Sequence, residues 1–206
     1  MKTQKRDQRR DQILDVAVEL LAEKGYRNAS MLEVARRASA SKETLYAWFN
    51  NKQGLYEAVI RRNAKSVQAV LQGQLQDDRP PSVALQTFGE ALLTLLLGEE
   101  SIAINRAAVS EAKTDPTLAQ VLWKTGRAAT LPLFVALLER YHTDQRLQIK
   151  DIQLAAEQYL GLLLTDLQMC RLLGVSKKPG KTFIKHRVED AVDAFLRLYG
   201  ATVYRV

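Results

Sequence analysis

Apolar residues recur every three to four positions along almost the whole chain, and the breaks in that rhythm divide it into short elements. Between Gln8 and Lys24, Ile13, Leu14, Ala17, Leu20 and Leu21 fall on one face and charged residues fill the other, which predicts an amphipathic helix. Gly25 ends it as the first residue beyond the helix, with Tyr26 placed for a closing apolar contact. Ser30 and Glu33 form a capping box that opens a second helix barely two turns long, with Leu32, Val34, Ala35 and Ala38 as its apolar face. Ser39-Ala40-Ser41 interrupts this run. Ser41 then caps a third helix from Lys42 to about Trp48, and Leu45 and Phe49 sit one turn apart on its inner face. Asn50 or Asn51 caps a fourth, from Lys52 to about Gly73, carried by Leu55, Val59, Val67, Val70 and Leu71.

The polar stretch Gln74 to Pro81 predicts a loop or hinge. Beyond it, helices are expected at about 82–97, 101–113, 117–141, 151–173 and 183–199, divided by Gly98, Asp115-Pro116, the polar run Thr143 to Lys150 and the stretch Gly174 to Lys181. Only 10 Gly and 5 Pro occur in 206 residues, and Ala, Leu, Glu, Gln, Lys and Arg dominate, so no sheet is expected. The expected fold class is all-α, with a three-helix unit at 1–51, a connecting helix at 52–73 and a larger helical domain at 82–206.

Charge changes the picture because it is unevenly spread. Residues 1–66 hold 14 Lys and Arg against 8 Asp and Glu, whereas the remaining 140 hold 16 against 15, so nearly all of the net +7 lies in the first third. That is the electrostatic footprint a nucleic acid requires, although an anionic membrane surface would be served by the same charge. Residues 1–24 alternate acids with bases and form no single cationic face, which argues against a membrane-surface or scaffold role. Lys2, Lys5, Arg6, Arg9 and Arg10 read either as a solvated tail or as a source of phosphate or minor-groove contacts.

The N-terminal ten residues are charged rather than apolar, and runs such as Ala91 to Leu97 and Leu160 to Leu164 fall short of a bilayer span. No membrane partner is expected, and the expected location is the cytoplasm. Cys170 is the sole cysteine, so neither an internal disulfide nor a thiolate metal site can form. His142 and His186 each have no Cys or second His at metal-ligand spacing, and the chain has no glycine-rich phosphate loop. Hence no metal, no cofactor and no catalytic residue is expected, and the chain reads as a non-enzyme; a small helical enzyme using carboxylates alone has no positive support.

Within residues 8–52 a supporting helix, two short helices meeting at a tight turn and a positive balance coincide. A helix-turn-helix has these parts, its second helix entering the major groove of DNA; the plainer alternative is an ordinary helical hairpin. Arg10 to Leu14 with Ala17 and Leu21, Gly25-Tyr26, Ser30 to Ala35, Ser41-Lys42, Thr44-Leu45-Tyr46, Phe49 and Lys52 together resemble the N-terminal domain of the tetracycline-repressor (TetR) family. Arg106 to Ala112, Ala155 to Gly161 and Asp190 to Phe195 look like the AefR-like branch of that family. The resemblance implies a transcriptional regulator, usually a repressor, that binds double-stranded DNA as a homodimer and is released by a small molecule.

It implies DNA contact from Lys42, Glu43, Thr44, Tyr46, Ala47 and Trp48 on the third helix, with Ser30, Ser41 and Lys52 on flanking phosphates. The bland reading leaves the serines as helix caps and the lysines as solvated charges. Ser39 stands where the family turn usually has Gly and Ala40 where it usually has Val. Glu43 replaces a position often small, and Trp48 replaces the usual His. A carboxylate at Glu43 would face phosphates unless it accepts a hydrogen bond from a cytosine amine.

In the larger domain the predicted helix 151–173 is apolar on nearly every side, which calls for a covering partner subunit. Leu162, Met169 and Leu173 on it, with Val188, Val192, Phe195 and Tyr199 on the helix 183–199, are the expected dimer face. That last helix has Ile184, Val188, Ala191, Phe195 and Leu198 as its apolar stripe. A ligand cavity between helices would be lined by Phe88, Leu92, Trp123 and Phe134, with Asn105, Arg106, Arg127, Thr165 and Asp166 as orienting polar groups. Each apolar member could equally be core.

Overall fold

The computed structural model describes residues 2–201, with side chains from Gln4 onward. Among the described residues the chain forms α1 (Lys2–Asn28), α2 (Met31–Arg37), α3 (Lys42–Phe49), α4 (Lys52–Gln74), α5 (Pro81–Leu96) and α6 (Glu99–Glu111). These are followed by α7 (Thr117–Leu122), a π-helical turn (Trp123–Arg127), α8 (Ala128–Thr143), α9 (Ile152–Leu164), α10 (Leu167–Leu173) and α11 (Lys181–Tyr199). The only β pairing among them is an isolated antiparallel bridge between Leu147 and Gly200. The all-α expectation holds.

Two compact units result, and they differ from the expected partition at 51, 73 and 82. The first contains the residues up to Asn63 together with Glu100–Arg127, and the second Ala64–Glu99 together with the residues from Ala128 on. The reason lies in the apolar stripes: Ile104, Ala107, Ala108, Leu118 and Val121 share one core with Ile13, Leu20, Leu45, Tyr56 and Val59.

In the first unit α1 begins well before the expected Gln8, so Lys5, Arg6, Arg9 and Arg10 lie on a helix rather than in a tail; the side chain of Lys2 is outside the described residues. Gly25 leaves the helical conformation at φ 73°, as its place beyond the helix end predicts. On α2 the expected apolar residues Val34, Ala35 and Ala38 are buried, and only Leu32 departs from expectation, Met31 taking its place. Leu32 is 66% exposed. Charges fix the phase: Lys24 bonds the Glu33 carboxylate at 2.6 Å, and Arg37 bridges Glu23 at 2.7 Å and Glu33 at 3.4 Å. Seven residues are too few for apolar periodicity alone to decide.

The core of the second unit is aromatic. Phe88 stacks on Phe134 at 4.4 Å between ring centroids, Tyr159 meets Phe134 at 5.3 Å, and Phe195 meets Tyr159 edge-on at 5.4 Å. Burying each such ring removes a large apolar area from water, and the ring pairs add about 0.5–1.5 kcal/mol apiece beyond it. The Tyr159 hydroxyl donates to the Leu85 carbonyl at 2.7 Å, and burial pushes its ionisation far up. The Gln74–Pro81 loop is tied down: Arg140 donates to the carbonyls of Gln74 and Leu75, and the Tyr141 hydroxyl donates to that of Arg79.

Three expectations for the later helices change. The helix expected at 151–173 breaks at Thr165, where φ is 42° and ψ is −122°. The break frees the Leu162 and Leu163 carbonyls, which accept from the Arg187 guanidinium, so a side chain of α11 replaces the lost helical bonds. The helix expected at 117–141 contains the π-helical turn. Together α7, that turn and α8 form one 27-residue helix, Thr117–Thr143, long and apolar enough by length and composition to cross a membrane, which the sequence reading did not anticipate. Phe134, Leu137, Leu138 and Tyr141 on it are core residues of the second unit, while 28% of its most apolar stretch is buried.

Candidate nucleic-acid interface

Two short capped helices and the turn between them form the site. Ser30 opens α2 by accepting from the Glu33 N–H at 3.2 Å, and Ser41 opens α3 by accepting from the Thr44 N–H at 3.0 Å. Both serines are therefore caps, each worth on the order of 1 kcal/mol to its helix. Glu33 completes only half a capping box, since its carboxylate turns to Lys24 and Arg37. The Thr44 hydroxyl lies 3.0 Å from that of Ser41, so it is already partnered.

The chain leaves α2 through Ala38 in a helical conformation and Ser39 at φ 50°. The left-handed region is where glycine is usual, and a residue with a Cβ there costs on the order of 1 kcal/mol. The Ala40 N–H returns to the Ala35 carbonyl at 2.9 Å, closing the turn. Arg9, on α1, donates from one guanidinium nitrogen to the carbonyls of both Ala38 and Ser39.

Helix α3 then presents two faces. Leu45 and Phe49 are buried, while Lys42, Glu43, Tyr46 and Ala47 are exposed and Thr44 and Trp48 are half-buried. The Lys42 ammonium sits 5.8 Å from the Tyr46 ring centroid. Glu43 is held below the usual carboxylate range by its own backbone N–H first and by the Ser41 hydroxyl second, so it stays ionised near neutral pH. The exposed face thus carries a cation, an anion, a phenol and a small apolar residue at the free N–H end of a helix, a set suited to base edges and phosphates.

Lys52, expected on a flanking phosphate or else as a solvated charge, is half-buried against the end of α1. Its ammonium donates to the carbonyls of Tyr26 and Arg27 and rests 4.2 Å from the Tyr26 ring centroid. Burial lowers its affinity for a proton, and Glu111 and Asp115 partly offset this. The ammonium thus holds the end of α1 through two carbonyls. Sequence reasoning missed Arg9 as well as this use of Lys52, because the accepting carbonyls lie 29 and 26 positions away.

The expected ligand and dimer residues are scattered. Asn105, Arg106, Trp123 and Arg127 belong to the first unit, and Phe88, Leu92, Phe134, Thr165 and Asp166 to the second. Phe88, Leu92 and Phe134 are packed core. The Asn105 amide donates to the Ser101 carbonyl, Trp123 is 63% exposed with the Arg127 guanidinium 5.5 Å from its ring, Thr165 forms the helix break, and Asp166 accepts from the Cys170 thiol at 3.6 Å. Of the expected dimer face, Val188, Val192 and Phe195 are buried in the chain's own core, where α11 packs on α5 and α9. Leu198, expected on the apolar stripe of α11, is exposed. Met169 and Leu173 remain exposed, and Leu162 and Tyr199 are half-buried.

A helix-turn-helix in one unit and an all-helical second unit in the same chain define a DNA-binding regulator class. The family model for bacterial regulatory proteins of the tetR family matches residues 13–59, and that for the AefR-like transcriptional repressor C-terminal domain matches residues 83–201. The chain belongs to the TetR family of transcriptional regulators. It is 40% identical over 60 residues, 29% of its length, to the uncharacterized HTH-type transcriptional regulator YvkB of Bacillus subtilis. That match covers 32% of YvkB, and the curated relatives as a group are matched over about a third to a half of their length. Among solved structures, a TetR transcriptional regulator from Agrobacterium tumefaciens is 31% identical with a TM-score of 0.74, covering 95% of this chain and 96% of that one. The Flavonoid-responsive Regulator FrrA is 27% identical with a TM-score of 0.69, covering 95% and 99%.

Proposed function

We propose that this chain is a homodimeric repressor that binds a palindromic operator through α3 and is released from it by a small molecule. The observation that carries the reading is the division of α3: Leu45 and Phe49 anchor it in the core, and Lys42, Glu43, Tyr46 and Ala47 are left for DNA. Tyr46 and Lys42 serve base edges and the backbone, Glu43 tests for a cytosine amine, and the end of α3 with Ser41 faces a phosphate. The charge surplus of the first third supports non-specific affinity and fast encounter.

Dimerisation is supported by the apolar side chains that the second unit leaves in solvent, Met169, Leu173, Phe183 and Leu198. Two-fold symmetry of the protein then matches a two-fold operator, with half-sites one helical turn or a multiple of it apart. A small-molecule effector is supported by the flavonoid-responsive relative. It is also supported by Asn63 of α4, whose buried amide nitrogen has no hydrogen-bond partner and is a candidate ligand donor. The effector shifts the population from operator-competent to incompetent states.

The test is in-vitro selection from a random duplex library, with the mass in solution measured by light scattering at micromolar protein. A palindromic consensus bound by a dimer is expected. A monomer, or a library with no enriched sequence, would overturn the reading.

A further inference from the structure

We propose that Arg9 is a positioning residue for sequence reading: its guanidinium holds the turn between α2 and α3 and thereby sets α3 on α1. The inference rests on α3 being the reading helix. Three observations converge on it. First, the turn has two carbonyls, those of Ala38 and Ser39, at the end of α2 where no further helical N–H exists to meet them, and Arg9 donates to both. The other guanidinium nitrogen donates to Gln12 at 3.0 Å, which fixes the fork in place.

Second, the turn needs an outside support. Ser39 holds φ at 50°, a conformation that glycine adopts freely and serine does not, so the turn's own sequence favours it weakly. A cation placed on the last carbonyls of α2 also meets the negative end of that helix. Third, Arg9 does not act alone. Arg6 and Arg10 are its neighbours on the same face of α1, and each reaches an aromatic ring of α3: Arg6 lies 5.7 Å from the Trp48 centroid and Arg10 5.4 Å from that of Phe49. One arginine face of α1 therefore grips the turn and the C-terminal end of α3, the two places that set its direction.

Base-edge hydrogen bonds need α3 within a fraction of an ångström of one pose, whereas phosphate contacts tolerate small rotations. Loosening the grip should therefore cost discrimination more than affinity for DNA in general. Lysine keeps the charge but lacks the planar fork that spans two carbonyls.

The experiment compares wild type, Arg9→Lys, Arg9→Met and Arg9→Met/Ser39→Gly by anisotropy titration on the selected operator and on a scrambled duplex. Amide hydrogen exchange over residues 38–44 is measured in parallel. Arg9→Met is expected to lower the operator-to-scrambled affinity ratio about tenfold, Arg9→Lys nearly as much without weakening scrambled binding, and Ser39→Gly to restore most of the ratio. Exchange at 38–44 accelerates in both single variants and recovers in the double variant. An Arg9→Lys protein that matches wild type, or an Arg9→Met protein that loses operator and scrambled binding equally, reduces Arg9 to a phosphate contact and overturns the proposal. A wild-type protein with no preferred sequence overturns the operator reading instead, and the exchange measurement still decides whether Arg9 holds the turn.

Discussion

Around α3, the proposed reading helix of the first unit, charges on polar partners tie the elements together: Arg9 on the turn, Lys52 on the end of α1, and the chain Lys24, Glu33, Arg37 and Glu23 between α1 and α2. In the second unit the ties are rings on rings, Phe88, Phe134, Tyr159 and Phe195 stacked or edge-on in a buried row. Buried apolar packing is strong, non-directional and little affected by salt. Exposed ion pairs are weak and screened, but they fix where a small element sits. The two helices of the motif, 15 residues in all, bury only Met31, Val34, Ala35, Leu45 and Phe49, and the polar ties add direction to that packing.

The largest effect that would test this contrast is Phe134→Ala. It should remove about 3–5 kcal/mol of unfolding free energy, read by denaturant titration, with the same loss at low and high salt. A loss that varied strongly with salt would erase the distinction between the units. Gly89→Ala should cost about 1–3 kcal/mol in the same assay, because a Cβ there would meet the Tyr159 hydroxyl at 2.6 Å and Val188 at 2.8 Å. Smaller again, Lys42→Ala and Tyr46→Phe should each weaken operator binding by about 1 kcal/mol without lowering the unfolding midpoint, and Lys42→Ala should reduce the salt slope of binding by about one. Unchanged affinity in both would remove α3 as the reading helix.

The smallest effect concerns pH. Glu33 is held below the usual carboxylate range chiefly by the hydrogen bond from Lys24, and Glu23 chiefly by that from Arg37. A carboxyl with a depressed folded value contributes stability that is present above the unfolded value and lost as pH falls through the folded one. The thermal midpoint difference between wild type and Arg37→Gln should therefore be largest near pH 7 and shrink as pH falls through the depressed folded values of Glu33 and Glu23. A difference that stays constant down to the lowest pH at which the protein is folded would mean that Arg37 acts through packing rather than charge.

The same contrast explains what the sequence could tell. Ser30, Ser41, Gly25, Leu45 and Phe49 were legible because caps, helix ends and one-turn apolar pairs are settled within four residues of chain. Arg9, Lys52 and Arg187 were not, because each acts on carbonyls 24 or more positions away and shows in sequence only as another cation. Leu32 and Met31 exchange roles because a two-turn helix samples too few positions to fix its phase against charge pairs. In the second unit periodicity marked Val188, Phe195, Phe88 and Phe134 correctly as buried. It could not say whether a partner chain, a ligand or the chain's own core covers them, and α5, α8, α9 and α11 do.

The most direct test of the central claim, that the exposed face of α3 reads base sequence, is parallel selection from one random duplex library by wild type and by a Glu43→Gln/Ala47→Gln variant. The account predicts that both enrich palindromes with the same half-site spacing but with different preferred bases at one or two positions in each half-site. The same consensus from both proteins would contradict it, placing sequence reading elsewhere than on Glu43 and Ala47 of α3.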